Sequence, residues 1–310
     1  MILKGGLVMD KIVQCIEKTL GHKVDIIRKI ENVTNNTVFH VEALGEEYIF
    51  KLFRSKDWPE NGKLSYVNSL LTKHHISCAK LVEFNRDDSE FPCGFLIERK
   101  LQGTCAEQMY FSNTEEVDFY VRLAELISLI HSIPIYNFGY IGYGQADYDS
   151  LSSFFEDEFD NRANALIEMN VYDKFNMEKM KELFFKGLNK FDNLPSVLCH
   201  GDLSKKNVII SDSGELILID WDDAMSYNWM ADISRLTFWM KMNYSKQNYS
   251  ILKKAFIENY NTQYRKVEFD IFERAFHIYI GIDCLSYHIN MGDKMMQNKI
   301  MEYLDLLLNK

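Results

Sequence analysis

The stretch LCHGDLSKKN at residues 198–207, continued by VIISDSGELILIDWDDA at residues 208–224, decides the fold of this 310-residue chain. In the second stretch two short apolar runs flank SDSGE, a pattern that predicts a β-hairpin with a two-residue turn at Ser213-Gly214. This turn would set Asn207 opposite Asp220 at the open end of the hairpin, with Cβ atoms roughly 5 Å apart. The hairpin therefore predicts a cluster of polar side chains beside a buried sheet.

The side chains at this end of the hairpin suit a metal and a proton transfer. An amide oxygen of Asn207 and a carboxylate of Asp220 can share a hard cation, and Mg²⁺ prefers oxygen ligands together with substrate phosphates. Asp202 lies five residues before Asn207 on the entering loop, where it could accept a proton from an attacking hydroxyl. Each residue alone is an ordinary polar side chain at a strand end. The order of all three is that of phosphoryl-transfer sites.

The same order carries a family resemblance. His-x-Asp-x-x-x-x-Asn, an apolar hairpin and Ile-Asp resemble the aminoglycoside phosphotransferases, protein-kinase-like enzymes that phosphorylate antibiotics and small metabolites. HGD at residues 200–202 stands where protein kinases have His-Arg-Asp, and IDWDDA at residues 219–224 replaces their Asp-Phe-Gly. The resemblance implies an α+β, protein-kinase-like fold of two lobes. The small N-lobe would hold an antiparallel sheet, and the larger C-lobe would be mainly helical.

Local patterns agree with a strand-rich start and a helical remainder. Apolar spacing predicts a short helix from Asp10 to Leu20, ended by Gly21. The predicted strands that follow are Val24–Ile30, Thr37–Leu44 and Tyr48–Phe53, the last two joined by a turn at Gly45-Glu46-Glu47. We place the N-lobe at residues 1–98, a hinge at 99–104 and the C-lobe at 105–310. The resemblance implies that the hinge backbone binds the adenine edge of a nucleotide.

Lys51 is a charged residue within an otherwise apolar predicted strand. One interpretation is an edge strand, in which a lysine prevents pairing with another chain. The resemblance instead assigns it to the α- and β-phosphates of the nucleotide. Such a lysine needs a carboxylate to orient it, and the only acids between Lys51 and Glu83 are Asp57 and Glu60. The resemblance favours Glu60, in the first turn of a helix that starts at Pro59. Asp57 remains an alternative.

Three further residues are candidates for the nucleotide site. The connection between the first two strands, ENVTNNT at residues 31–37, has no glycine. Its Asn36 resembles the corresponding position of the antibiotic kinases, and asparagine tolerates left-handed turns and offers an amide donor. A plain polar loop is the alternative. The resemblance also sets Glu98 and Lys100, in the connection after the strand at residues 95–97, beside the nucleotide.

The charge balance restricts the partners. A formal net charge of −10 argues against nucleic acid, whose phosphates require a basic surface, and it permits a cationic substrate. Acids cluster at residues 156–160 and 222–223. The candidates for binding a cationic acceptor are Asp157, Glu158, Asp222 and Asp223. A solvated helix face is the alternative for such clusters.

Composition and the chain start indicate a cytoplasmic protein. No run approaches 18 uninterrupted apolar residues, so no membrane span is expected. The first nine residues are too short for a signal peptide, and an internal start at Met9 is a further possibility. The six cysteines include no Cys-x-x-Cys pair, which indicates reduced thiols.

The sequence therefore predicts an ATP-dependent or GTP-dependent phosphotransferase that uses Mg²⁺ and acts on a hydroxyl of a small molecule. The resemblance favours an aminoglycoside-type antibiotic, and residues 222–225 with Phe238-Trp239 resemble the hygromycin-type branch. A kinase of choline, a sugar or an amino alcohol is the first alternative. A catalytically silent nucleotide-binding module is the second, although the presence of Asp202, Asn207 and Asp220 argues against it.

Overall fold

The computed structural model describes residues 5–31, 36–260 and 266–309. Within these ranges the helices are α1 (Gly5–Leu20), α2 (Lys63–Lys73), α3 (Asn113–Ile130), α4 (Leu151–Glu168), α5 (Lys174–Leu188), α6 (Trp229–Asn243), α7 (Lys246–Asn259), α8 (Lys266–Asn290) and α9 (Lys294–Leu308). The strands are β1 (Ile26–Ile30), β2 (Thr37–Ala43), β3 (Glu46–Leu52), β4 (Leu81–Asn85), β5 (Phe95–Arg99), β6 (Gly103–Cys105), β7 (Gly139–Tyr140), β8 (Val197–Cys199), β9 (Val208–Ser211), β10 (Leu216–Leu218) and β11 (Met225–Tyr227). The predicted α+β class is confirmed.

The chain divides into two compact units. Unit 1 takes its described residues from Met1–Ala106, Gly142–Gly144 and Val208–Asp222, and unit 2 from Glu107–Ile141, Gln145–Asn207 and Asp223–Lys310. The β9–β10 hairpin thus belongs to unit 1, whereas we predicted it within the C-lobe. The predicted lobes and hinge stay a prediction. In the described part of the chain, no helix has both the length and the apolarity needed to cross a bilayer.

Unit 1 contains a five-stranded antiparallel sheet in the order β1-β2-β3-β5-β4. One face of the sheet packs beneath α1. Its core residues are Ile12, Ile16, Phe39, Val41, Phe50, Phe91, Phe95 and Ile97. Successive strand residues point to opposite faces, so Lys51, next to Phe50, lies on the other face. The helix α1 begins at Gly5, upstream of the predicted start at Asp10, and ends before Gly21 as predicted.

Two predicted boundaries in unit 1 are wrong because of left-handed residues. The β2–β3 turn is the two-residue Leu44-Gly45, with φ angles of 51° and 74°, rather than Gly45-Glu46-Glu47. Mirror-image turns of this kind match the twist of paired strands. Helix α2 begins at Lys63 rather than Pro59, because Gly62 adopts a φ of 78° and breaks the helical path before it.

The β9–β10 hairpin forms as predicted, but its register differs by one residue. Val208 pairs with Leu218 and Ile210 with Leu216. Gly214 has a φ of 86°, so the loop has three residues between Ser211 and Glu215 rather than a two-residue turn. The predicted pairing of Asn207 with Asp220 is therefore wrong, because the longer loop shifts the returning strand. The hairpin continues into β6, giving a sheet in the order β10-β9-β6.

Unit 2 combines seven helices of the described chain with a small sheet in the order β7-β11-β8. Helix α3 starts with a capping box in which Ser112 and Glu115 satisfy each other's backbone N–H groups. Aromatic side chains fill the core. Ring centroids of Phe184, Phe276 and Tyr279 lie 4.6–5.4 Å from that of Phe155. Helices α4, α5 and α8 are joined by this aromatic cluster.

Candidate active site

Lys51 occupies the face of the unit 1 sheet that is turned away from α1. Its Nζ atom lies 2.7 Å from Oδ1 of Asp220 and 3.1 Å from Oδ1 of Asp222. Only 8% of the lysine is exposed. One buried ammonium therefore joins both carboxylates of the segment that follows β10.

The charge state of Lys51 depends on these carboxylates. Burial by itself lowers the pKa of the ammonium, but the carboxylates of Asp220 and Asp222 raise this pKa well above its ordinary value. Burial also raises the pKa of the Asp222 carboxyl, and the adjacent Lys51 opposes that effect. Lys51 is thus held as a cation, the form that can bind phosphate oxygens.

Glu60 does not orient Lys51. Its carboxylate forms an ion pair with Lys63, while the partners of Lys51 among the described residues are Asp220 and Asp222. The late start of α2 explains the error, since Glu60 lies in the loop before the helix and not in its first turn. The alternative, Asp57, makes no ion pair with Lys51 either.

Glu98 lies within β5 rather than in an exposed connection, because the strand extends to Arg99. It shares a sheet face with Lys51, since Leu96 pairs with Lys51 and Glu98 follows two residues later. Burial raises the pKa of the Glu98 carboxyl to about 7, and Lys51 limits that rise. Glu98 therefore adds a third acid to the surroundings of the lysine.

Lys100 lies in the predicted hinge and is tied to β3. Its backbone N–H donates to the carbonyl of Glu47 over 3.0 Å, and its ammonium lies 3.1 Å from that residue's carboxylate. Gln102 donates to the same carboxylate over 2.6 Å. The backbone N–H of Lys100 is thus already used, and its role in nucleotide binding stays a prediction.

Asn36 contacts the segment after β10 rather than standing alone in a loop. Its amide nitrogen donates to Oδ2 of Asp222 over 3.0 Å. The four residues before it, 32–35, lie outside the described residues, so the predicted phosphate cradle stays a prediction. Both oxygens of Asp222 are engaged, one by Asn36 and one by Lys51. These contacts give no support to the predicted role of Asp222 in acceptor binding.

Asp220 and Asp222 differ in their access to solvent. The Asp220 side chain is 48% exposed and that of Asp222 is 11% exposed. Asp220 also has a φ of 63°, a left-handed conformation that is uncommon outside glycine, asparagine and aspartate. The more exposed carboxylate is that of Asp220, so Asp220 is the one that can meet a ligand.

A cavity of about 40 Å³ lies behind Lys51 within unit 1. It is lined by the lysine, by Glu98, by Asn68 of α2 and by residues 218–222. About 10–15 Å³ of such space is needed for each water molecule, so the cavity has room for about three waters and none for a nucleotide. Its lining is mixed, because the apolar side chains of Leu64, Val67 and Leu96 line it together with these polar groups.

The catalytic-loop candidates lie in unit 2. The amide nitrogen of Asn207 donates to the backbone oxygen of Asp202 over 2.8 Å and to its Oδ2 over 3.0 Å. Lys206 pairs with the same carboxylate over 2.8 Å. The carboxylate of Asp202 is thus held by the side chains of Asn207 and Lys206.

The backbone of this loop is held by Asp232 on α6. Buried Asp232 accepts hydrogen bonds from the backbone N–H of His200 over 2.8 Å and of Gly201 over 3.0 Å. His131 contacts it through Nε2 over 3.1 Å. Burial alone would raise the pKa of Asp232, but these bonds hold it below its ordinary value. Asp232 therefore supports the backbone of the loop that carries Asp202, and His131 is part of the same buried network.

Gly201 is required by a close backbone approach. Its φ is 80°, and a Cβ atom there would lie 1.8 Å from the carbonyl oxygen of Asp223. No other residue type fits this space. The replacement of the protein-kinase arginine by glycine in the His-Gly-Asp sequence therefore has a steric cause.

A cluster of charges beside the loop was missed by the sequence reasoning. Arg235 of α6 contacts Oδ2 of Asp283 on α8 through both terminal nitrogens at 3.4 Å, and Arg162 of α4 lies 3.3 Å from Oδ1. Burial lowers the pKa of Arg235, but the carboxylates of Asp283, Asp202 and Asp223 raise it above its ordinary value. The only signal of this charge cluster in the sequence was the spacing of Asp232 and Arg235 on one helix.

The remaining predicted acceptor residues lie near this cluster or on the helix that borders it. Glu158 is 3.9 Å from Arg162, and its side chain is 16% exposed. Asp157, on the same helix, accepts a long hydrogen bond of 3.4 Å from Tyr148. Asp223 contributes its backbone at Gly201 and its charge at Arg235. Acceptor binding by these residues stays a prediction.

Comparison with known families and structures agrees with this geometry. Residues 26–271 match the model of a family described as the phosphotransferase enzyme family. No curated protein sequence matches the chain. The matched range contains Lys51, Asp202, Asn207 and Asp220, and it covers most of the 310 residues.

Several solved structures share the fold. A thermostable mutant of aminoglycoside phosphotransferase APH(4)-Ia is 15% identical, with a TM-score of 0.71 over 96% of this chain and 98% of that chain. Choline kinase LicA from Streptococcus pneumoniae is 17% identical, with a TM-score of 0.66 over 97% and 99%. A GDP and kanamycin complex of an APH(2") enzyme is 13% identical, with a TM-score of 0.66 over 96% and 98%. The predicted protein-kinase-like fold is thereby confirmed.

Proposed function

Because this chain belongs to the phosphotransferase enzyme family, we propose that it transfers the γ-phosphoryl group of ATP or GTP to a hydroxyl of a cationic small molecule. The observation that carries the proposal is the buried Lys51 ammonium held between Asp220 and Asp222 in unit 1. It is accompanied in unit 2 by an Asp202–Asn207 pair on a loop fixed by Asp232. Phosphoryl transfer requires both sets of groups.

Lys51 and Asp202 would have different roles in the transfer. Lys51 would bind phosphate oxygens, since its carboxylate partners keep it charged. Asp202 would orient the acceptor hydroxyl and take its proton, because Lys206 and Asn207 fix its carboxylate in a partly exposed position. Fixed charges that need no rearrangement are the main source of acceleration in such reactions.

The donor set also suits Mg²⁺. In unit 1 the half-exposed carboxylate of Asp220, and in unit 2 the amide oxygen of Asn207, are each an oxygen ligand of the kind that Mg²⁺ takes. Mg²⁺ held by such ligands would neutralise negative charge on the nucleotide phosphates.

An aminoglycoside-type antibiotic is the acceptor that we favour. The support is the acidic balance of the chain together with Asp202, Asp223, Asp283 and Glu158 in one region of unit 2. Related structures contain hygromycin B or kanamycin. The arginines of the same region offset part of this charge, which leaves a choline-like amino alcohol as second candidate, in line with the similarity to a choline kinase.

The decisive experiment measures nucleotide consumption by the purified protein with Mg²⁺ against hygromycin B, kanamycin, choline and neutral sugars. We expect turnover with one of the cationic acceptors and none with Asp202→Asn. The same Asp202→Asn protein is the control for nucleotide binding, which calorimetry should find unchanged. Tight binding of MgATP with no turnover on any acceptor would favour the silent nucleotide-binding module, and a neutral best acceptor would favour a sugar kinase.

A further inference from the structure

Helix α2 contains no acidic residue. Its sequence is KLSYVNSLLTK, over Lys63–Lys73. In protein kinases an ion pair between the strand lysine and a glutamate of the corresponding helix has to form before phosphoryl transfer. This helix cannot provide that partner. The acid that orients Lys51 must therefore come from elsewhere in the chain.

Asp222 satisfies the requirements for this acid. Its side chain is 11% exposed, and Oδ1 lies 3.1 Å from the Lys51 ammonium. Its second oxygen accepts from Asn36 over 3.0 Å, so the carboxylate cannot rotate without losing a bond. Asp220 also contacts Lys51, but its side chain is 48% exposed, as a ligand of metal or nucleotide has to be. Lys51 thus contacts one buried carboxylate, that of Asp222, and one exposed carboxylate, that of Asp220.

Lys63 fixes the backbone of Asp222. Its ammonium donates to the carbonyl oxygen of Asp222 over 3.2 Å and forms an ion pair with Glu60. It also lies 3.6 Å from the ring centroid of Trp58, within the range of a cation–π contact. Lys63 is fully buried. A buried ammonium is costly unless it is paired, and here the Glu60 carboxylate and the Asp222 carbonyl pair it.

We propose that Asp222 is the residue that positions Lys51 for nucleotide binding and that the Glu60–Lys63 pair positions Asp222. The inference rests on the proposed function. On this view, Asp220 leaves Lys51 to meet the nucleotide, while Asp222 keeps the lysine in place. Glu60, which was expected to orient Lys51 directly, acts on it through Lys63 and Asp222.

A double-mutant cycle on nucleotide binding tests the first half of the proposal. The dissociation constant of MgATP is measured by calorimetry for the wild type, Lys51→Met, Asp222→Asn and the double variant. A hydrogen bond to a charged group is worth about tenfold or more in affinity, so each single change should weaken binding by about that factor. The double variant should be no weaker than Lys51→Met, because Asp222 acts only through the lysine.

Two outcomes overturn this half. One is an Asp222→Asn affinity within about twofold of the wild type, and the other is a double variant whose losses multiply as for independent sites. A wild type that binds no nucleotide is a different result, because it refutes the proposed function itself. Thermal unfolding of each variant shows whether a lost affinity reflects a lost fold.

Lys63 tests the second half and decides the matter if Asp222→Asn does not fold. Lys63→Met keeps the buried volume and removes the charge, and it should weaken MgATP binding severalfold. Lys63→Arg should restore part of the loss, since it can still donate to the carbonyl. The matched control is Lys253→Met, which removes a lysine paired with Asp270 and Glu273 in unit 2. Equal effects of the Lys63 and Lys253 changes on affinity would overturn the assignment.

Discussion

Replacing Asp232 with asparagine removes one of two carboxylate oxygens on which three donors converge. The donors are the backbone N–H groups of His200 and Gly201 and the ring of His131. Asparagine keeps one acceptor and puts an NH₂ group in the place of the other. At least one buried donor is then unpaired, and the remaining bonds lose their charge.

The size of the effect follows from these bonds. An unsatisfied buried donor costs about 1–3 kcal/mol, and a charged bond exceeds a neutral one by about 1 kcal/mol. We therefore expect Asp232→Asn to lower the free energy of unfolding by about 3 kcal/mol. Turnover should fall further than the remaining folded fraction explains, because the loop that carries Asp202 loses its support.

Urea unfolding followed by tryptophan fluorescence measures the change, since Trp229 and Trp239 lie on the same helix as Asp232. Hydrogen exchange at the Gly201 amide reports the loop directly and should accelerate in the variant. Asp173→Asn is the control, because Asp173 caps α5 and asparagine caps equally well. A loss below about 0.5 kcal/mol, with unchanged exchange at Gly201, would refute the bracing role.

The remaining predictions concern the metal, the base, acidity and the acceptor. Asp220→Ala should abolish the Mg²⁺ dependence of nucleotide binding with the melting temperature nearly unchanged, and calorimetry showing the same dependence would remove Asp220 from the site. Asp202→Asn should reduce turnover by orders of magnitude with nucleotide affinity intact, since it acts on the hydroxyl; single-turnover rates near those of the wild type would contradict this. Burial lowers the pKa of His277 from 6.5 to about 4, so the unfolded chain binds its proton first, and stability should fall by about 2 kcal/mol between pH 7.5 and 5; His277→Asn should flatten that decline in urea titrations. Asp283→Asn should raise the Michaelis constant of a cationic acceptor more than it lowers turnover, and the difference should shrink as salt increases; an unchanged Michaelis constant would exclude Asp283 from acceptor binding.

Local patterns in the sequence were enough to predict much of the architecture. The His-Gly-Asp loop, the apolar hairpin and the lysine inside a strand can each be recognised from a short local stretch of sequence. Their order along the chain indicated the fold class and the type of chemistry. The errors in register and helix start came from Gly214 and Gly62, because a glycine's left-handed conformation adds or removes a residue without changing the hydrophobic pattern.

The same patterns did not predict which charged residues form ion pairs with each other. Lys51 meets Asp220 and Asp222 across about 170 residues of sequence, and the nearby Glu60 turned out to pair with Lys63. The Arg235–Asp283 contact joins α6 and α8. The sequence pattern of these helices is mainly aromatic and apolar, and it did not indicate that their charged residues pair. Burial decides these contacts, since a charge inside the protein takes the nearest available partner in space.

The absence of acids from α2 has a consequence for control of the enzyme. Protein kinases are turned on and off by moving the helix that carries the lysine's partner. Here that partner lies on the turn after β10, two residues from Asp220, so displacement of the helix carries no acid away. Lys63 at the start of α2 holds the backbone of Asp222, so a moving helix would affect Lys51 only through this backbone contact. Movement of the helix would then change the position of the lysine and leave its carboxylate partner in place.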